Sequence, residues 1–216
     1  MYVNLGITQE AEGLLLAACN MYRQATALAP GHFRAFKLMG SALYALGDFP
    51  ASKAALGQAL ALKPDYADAH CDLGCVHCAM GDVATAKTAF REAIRVNPAH
   101  IEAHFNMANL MRQCAEFGRA IQSYDRVLAI DPSHWRSLLN KAVVQTATGD
   151  KDEAAFNLRL ALKLSGAVKE EGGGGAGGVG GTLFFFSGAA GYGLCHTAQS
   201  RDPCLPGHQM HGVTFS

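Results

Sequence analysis

The sequence predicts an all-α solenoid of about five helix–turn–helix units, followed by a glycine-rich tail. Three observations carry this. Pro30, Pro64, Pro98 and Pro132 stand 34 residues apart, the length of a helical hairpin that stacks on copies of itself. Small residues keep step with them: Gly6, Gly40, Gly74, Ala108 and Ala142 form one column, and Ala18, Ser52, Ala86, Ala120 and Ala154 a second. A third column holds Ala25, Ala59, Ala93, Val127 and Ala161. Opposite the small residues, Tyr22, Leu56, Phe90, Tyr124 and Leu158 supply one large side chain per unit.

The units fall at about 1–32, 33–66, 67–100, 101–134 and 135–165. In the second, the first helix is expected from about Phe33 to Leu46 and the second from about Phe49 to Leu62. Gly47-Asp48 between them recurs as Gly81-Asp82 and Gly149-Asp150. The glycine can take the left-handed conformation that ends a helix, and the aspartate can cap the next helix. The proline then stops the second helix and sets the turn into the next unit. Met1 aligns with the third position of a unit, so the first unit is expected to lack two residues. The grammar stops at Leu164-Ser165-Gly166, where the next proline is due. Eight glycines follow between Gly172 and Gly181, then Thr182-Leu183-Phe184-Phe185-Phe186. Glycine at this density resists ordering, so 166–216 is expected to be a disordered tail.

The residues resemble the tetratricopeptide repeat, which in the third unit reads His70, Leu73, Gly74, His77, Gly81, Ala86, Phe90, Ala93 and Pro98. The resemblance covers residues 1 to about 165 and implies a right-handed superhelix with a concave groove. It implies a protein-interaction role and no particular partner.

Composition narrows the classes. Eighteen Lys and Arg balance 18 Asp and Glu, which disfavours a nucleic-acid partner. No segment reaches the run of roughly 18 apolar residues that a membrane span needs. Seven cysteines, an odd number lying mostly within helices, make a poor disulfide framework and point to a reducing compartment, the cytoplasm or the nucleus. Cys71, Cys75 and Cys78 share one helical face, but a single straight helix cannot surround a metal tetrahedrally. They are expected to be packing residues, as are His70 and His77. His32, His100 and His134 close successive units and are expected to be turn residues, with pH sensing the lesser alternative. Neither Ser/His/Asp nor Cys/His spacing forms a catalytic constellation, and Gly172 to Gly181 lacks the flanking elements of a phosphate loop. No enzyme and no cofactor is expected.

Binding is expected in the groove. The sixth column holds Asn4, Leu38, Asp72, Asn106 and Asn140. It resembles the asparagine ladder in the repeat region of O-linked N-acetylglucosamine transferase, where such amides grip a peptide backbone. An amide donates and accepts at once, which suits a main chain of any sequence. Lys37, Asn109, Arg112 and Arg136 are expected on the same inner surface. The rival chemistry of related repeats, a clamp for a chaperone's acidic C-terminus, is disfavoured. Asp72 stands where that clamp needs an amide, and Glu102 and Asn106 replace its two cations, so a carboxylate would be repelled.

Stretches such as Phe33 to Leu43, Lys63 to Leu73 and His134 to Val143 resemble long plant tetratricopeptide proteins that carry an EF-hand calcium segment. No such loop is present here: the run from Asp68 to Gly74 has His70 and Leu73 at a ligand position and at the turn glycine. The readings are therefore a peptide-binding scaffold, the repeat arm of a calcium-responsive plant protein, or the docking arm of a transferase without its catalytic domain. The expected partner is a protein or peptide, with self-association through uncapped repeat ends as a further possibility.

Overall fold

In the computed structural model, residues 1–166 are described, and the expected tail lies outside them. Ten helices follow one another: α1 (Tyr2–Ala11), α2 (Leu15–Leu28), α3 (Phe33–Ala45), α4 (Phe49–Leu62), α5 (Ala67–Ala79), α6 (Val83–Val96), α7 (Ile101–Gln113), α8 (Phe117–Ile130), α9 (Trp135–Thr148) and α10 (Lys151–Leu164). Each odd-numbered helix packs antiparallel on the even one that follows it, and each pair stacks on the next. The result is an all-α solenoid.

The short-range signals act as the sequence suggests. Gly47, Gly81 and Gly149 have φ of 81°, 79° and 94°. Asp48 and Asp82 each accept from a main-chain N–H in the first turn of the following helix, at 3.1 Å. Asp150 makes no such cap bond; its carboxylate accepts from the Thr148 hydroxyl at 3.4 Å instead. His32, His100 and His134 turn out to be caps as well. Each Nδ1 accepts from the third main-chain N–H of the helix it precedes, at 3.1, 3.2 and 3.2 Å.

Within a pair, a small residue on the first helix receives a large one from the second. A Cβ placed on Gly74 would lie 2.5 Å from a ring carbon of Phe90, and one on Gly6 would lie 2.5 Å from the Tyr22 ring. Tyr22, Leu56, Phe90 and Tyr124 are consequently fully buried. Ser52 departs from the alanine column yet stays buried, because its hydroxyl donates to the Gly40 carbonyl at 2.7 Å. Among the described residues, no helix is long and apolar enough to cross a membrane.

Candidate functional site

The two sets of helices do not meet their counterparts equally. α3 touches α5, α5 touches α7 and α7 touches α9, whereas the even-numbered helices make no comparable approach to one another. The odd helices therefore line the inner, concave wall, and the even ones form the outside.

Along this wall the sixth column forms a seam. Asp72 accepts from the Ser41 hydroxyl at 2.6 Å and pairs with the Lys37 ammonium at 3.0 Å. One unit on, the Asn106 amide donates to the Cys75 and Cys71 sulfurs at 3.3 and 3.8 Å. In the next, the Asn140 amide donates to the Asn109 carbonyl oxygen at 2.8 Å, and the same oxygen accepts from the Tyr124 hydroxyl at 2.7 Å. One bond at each junction, Ser41–Asp72, Cys75–Asn106 and Asn109–Asn140, joins the sixth position of a unit to the ninth of the unit before it. The amides expected as exposed rungs are largely committed to their neighbours: Asn106 is only 6% exposed. Packed helix axes lie about 8–10 Å apart, so polar groups on facing positions reach each other before they reach a ligand.

The electrostatics follow from this pairing. Burial works against the Lys37 ammonium, but the charge and hydrogen bond of Asp72, together with Tyr66 and Asp68, raise its pKa on balance. A cation so neutralised cannot open a carboxylate clamp. Asp68 is held below the usual carboxylate range, chiefly by the hydrogen bond from His100 at 3.0 Å. Burial pushes the Tyr124 hydroxyl up, opposed by the Arg112 guanidinium alongside it. Arg112 Nε is buried and has no hydrogen-bond partner among the described residues.

The structure thus gathers Asn109, Arg112 and Asn140 around Tyr124, and Lys37 with Asp72. Arg136 stands apart, its guanidinium 5.5 Å from the centre of the Trp135 ring. Asn4 lies at the other end, in a cavity between α1, α2 and α3 that Leu38 also lines. Sequence reasoning missed three other residues of the wall there, Ile7, His32 and Arg34. The signal available was Leu38 itself, the one apolar member of an otherwise polar column.

The cysteine stripe lies on α5, with Cys71 and Cys75 buried against α6 and α7. His77 is buried too, while His70 bonds to the Pro64 carbonyl oxygen at 2.8 Å. Among the described residues, no group of three or more His, Cys, Asp or Glu is placed to hold a metal ion.

Residues 40–81 match a family described as TPR repeat, and residues 67–100 and 115–165 match families described as Tetratricopeptide repeat. The chain is a tetratricopeptide-repeat protein. Two TPR repeat-containing proteins of Arabidopsis thaliana, each described as uncharacterized, share 58% identity over 41 residues and 59% over 39. Those segments are 19% and 18% of this chain and 5% of each relative, so the match spans a small part of either plant protein's length.

Solved structures of the same architecture include MamA, with a TM-score of 0.67 and 20% identity over 77% of this TPR protein and 98% of that chain. PilF of Pseudomonas aeruginosa gives 0.66 and 25% over 77% and 76%. YrrB, described as a TPR protein with an unusual peptide-binding site, gives 0.59 and 19% over 76% and 85%.

Proposed function

We propose that this TPR protein is a non-catalytic interaction scaffold that holds a peptide segment of a partner protein against the wall of α1, α3, α5, α7 and α9. The observation that carries the reading is the inner stacking of α3, α5, α7 and α9, which makes one continuous concave surface across the last four hairpins. The seam bonds tie successive inner helices to one another, which lowers the cost of organising the surface for a ligand. The related framework of YrrB carries a peptide-binding site, which supports the same use here.

Because Asn106 and Asn140 serve the seam, recognition falls to the exposed and half-exposed groups between the rungs. Arg136 and Val143 are such groups at the C-terminal end of the wall; Val143 occupies the column of Ser41, Cys75 and Asn109. The test is affinity capture with the full chain, peptide-array mapping of the captured protein, and affinity measurement on two variants. Arg136→Glu combined with Val143→Asp should weaken the mapped peptide, while Arg91→Glu on the exposed side of α6 should leave it intact. Loss with Arg91→Glu and none with the wall variant would place recognition on the outer surface.

A second reading has the same hairpins as the repeat arm of a longer protein, as the short, 58–59% identical matches to the Arabidopsis proteins suggest. Contact between copies through the terminal hairpins is compatible with either, since Leu5 and Leu16 at one end and Phe156 and Leu164 at the other are exposed.

A further inference from the structure

The seam along the inner wall has one break. Ser41–Asp72, Cys75–Asn106 and Asn109–Asn140 join successive inner helices from α3 onward. At the α1–α3 junction the equivalent positions are Ile7 and Leu38, which cannot form the bond. The approach of α1 to α3 is correspondingly weaker. An open cleft of about 420 Å³ lies at that place.

Its surface is mostly apolar, with Val3, Ile7, Ala25, Leu28 and Leu38 among the lining residues. Asn4, His32 and Arg34 are among its polar groups, Met1 brings its terminal ammonium, and no carboxylate lines it. The acids of the next inner helix bond to other groups, Asp68 to His100 and Asp72 to Lys37 and Ser41, although the Arg34 charge also helps to hold the Asp68 carboxyl down. Among the described residues, no carboxylate lies within ion-pair distance of exposed Arg34. His32 uses Nδ1 to cap α3, which leaves its Nε2–H as the donor side of the ring.

Arg34 and Leu38 are four residues apart on α3, so they stack one turn apart on the same face, with Cβ atoms about 5–6 Å from each other. In an extended chain, side chains on one side recur every second residue, about 6.6–6.8 Å apart. The second spacing is about 1 Å the longer, a difference that the long Arg34 side chain can span.

The geometry points to this cleft as the anchor subsite of the groove. It takes a large aliphatic or aromatic side chain of an extended peptide whose second neighbour is Asp or Glu, paired with Arg34. This rests on the groove reading above and adds to it the chemistry of the partner. A plain peptide-backbone grip would be indifferent to sequence; this subsite makes the protein selective for an apolar–x–acidic segment.

The experiment is selection of a random peptide library displayed on phage against the full chain. Binding of the enriched peptides to the wild type, Ile7→Asn and Arg34→Glu is then measured by fluorescence anisotropy. Ile7 and Arg34 are both exposed, so neither change should disturb folding, and a thermal melt of each variant checks this. The expected result is enrichment of a large apolar residue two positions from an acid. Arg34→Glu should weaken such a peptide about tenfold or more, the scale of a lost charge-assisted bond, and should favour the version with Lys in place of the acid. Ile7→Asn should weaken both versions alike.

Enrichment without that residue pair, no enrichment at all, or affinity unchanged by Arg34→Glu overturns the subsite. If the enriched peptides instead respond to Arg136→Glu with Val143→Asp, the groove reading stands and only the subsite falls. If they respond to Arg91→Glu alone, both fall.

Discussion

Ala115 is the only non-glycine among the described residues with positive φ, at 57°. It ends α7 in the place where Gly13, Gly47, Gly81 and Gly149 end the other inner helices. A side chain in the left-handed region costs roughly 1–2 kcal/mol, because Cβ crowds the following carbonyl oxygen. Glycine would remove that strain but gain freedom in the unfolded chain, which returns part of the benefit. Ala115→Gly should therefore stabilise the protein by about 0.5 kcal/mol. Urea unfolding should show this as a higher midpoint at unchanged slope. A lower midpoint would mean that the methyl group contributes packing which outweighs the strain. The sequence already marked this position: four of five hairpins carry glycine there, and the fourth does not.

The helices were legible because their determinants are local or strictly periodic. Gly40 against Leu56 and Gly74 against Phe90 recur every 34 residues, so the pairing of helices within a hairpin could be read directly. The seam could not. Ser41–Asp72, Cys75–Asn106 and Asn109–Asn140 each span 31 residues, an offset that appears only when facing positions of successive inner helices are compared. A polar residue in a groove column looks the same in sequence whether it meets a ligand or a neighbour, and the interhelical distance decides which. The histidine caps escaped notice for a related reason. His32, His100 and His134 were identifiable as turn residues, but the acceptor role of Nδ1 depends on ring orientation.

The seam makes a prediction at this scale. Asn109→Ala and Asn140→Ala remove two ends of one bond between α7 and α9, so their effects should not add. The double-mutant cycle should give a coupling of about 0.5–1.5 kcal/mol, the usual net worth of such a bond. Strict additivity in denaturant unfolding would mean that the two amides act independently.

At the scale of the whole molecule, the hairpins share one interface design and differ in whether it is used on both sides. The large-residue column shows this: Tyr22, Leu56, Phe90 and Tyr124 are 0% exposed, but Leu158 is 37% exposed. Phe156, on the same last helix, is 62% exposed. A stacked array is stabilised by each hairpin and by each contact between neighbours, and among the described residues α1–α2 and α9–α10 each meet one neighbouring hairpin. α1 and α10 should therefore open before α5 to α8, which are covered on both sides. Native-state hydrogen exchange at low protein concentration should show faster exchange in α1 and α10, with protection rising toward the middle. The same measurement addresses contact between copies. If the exposed faces of α1 and α10 stack end to end, their protection should rise with protein concentration while that of α5 to α8 stays constant. Protection in α1 and α10 that matches the central helices at every concentration would mean that the array unfolds as one unit, and the exposed ends would then carry no stability cost.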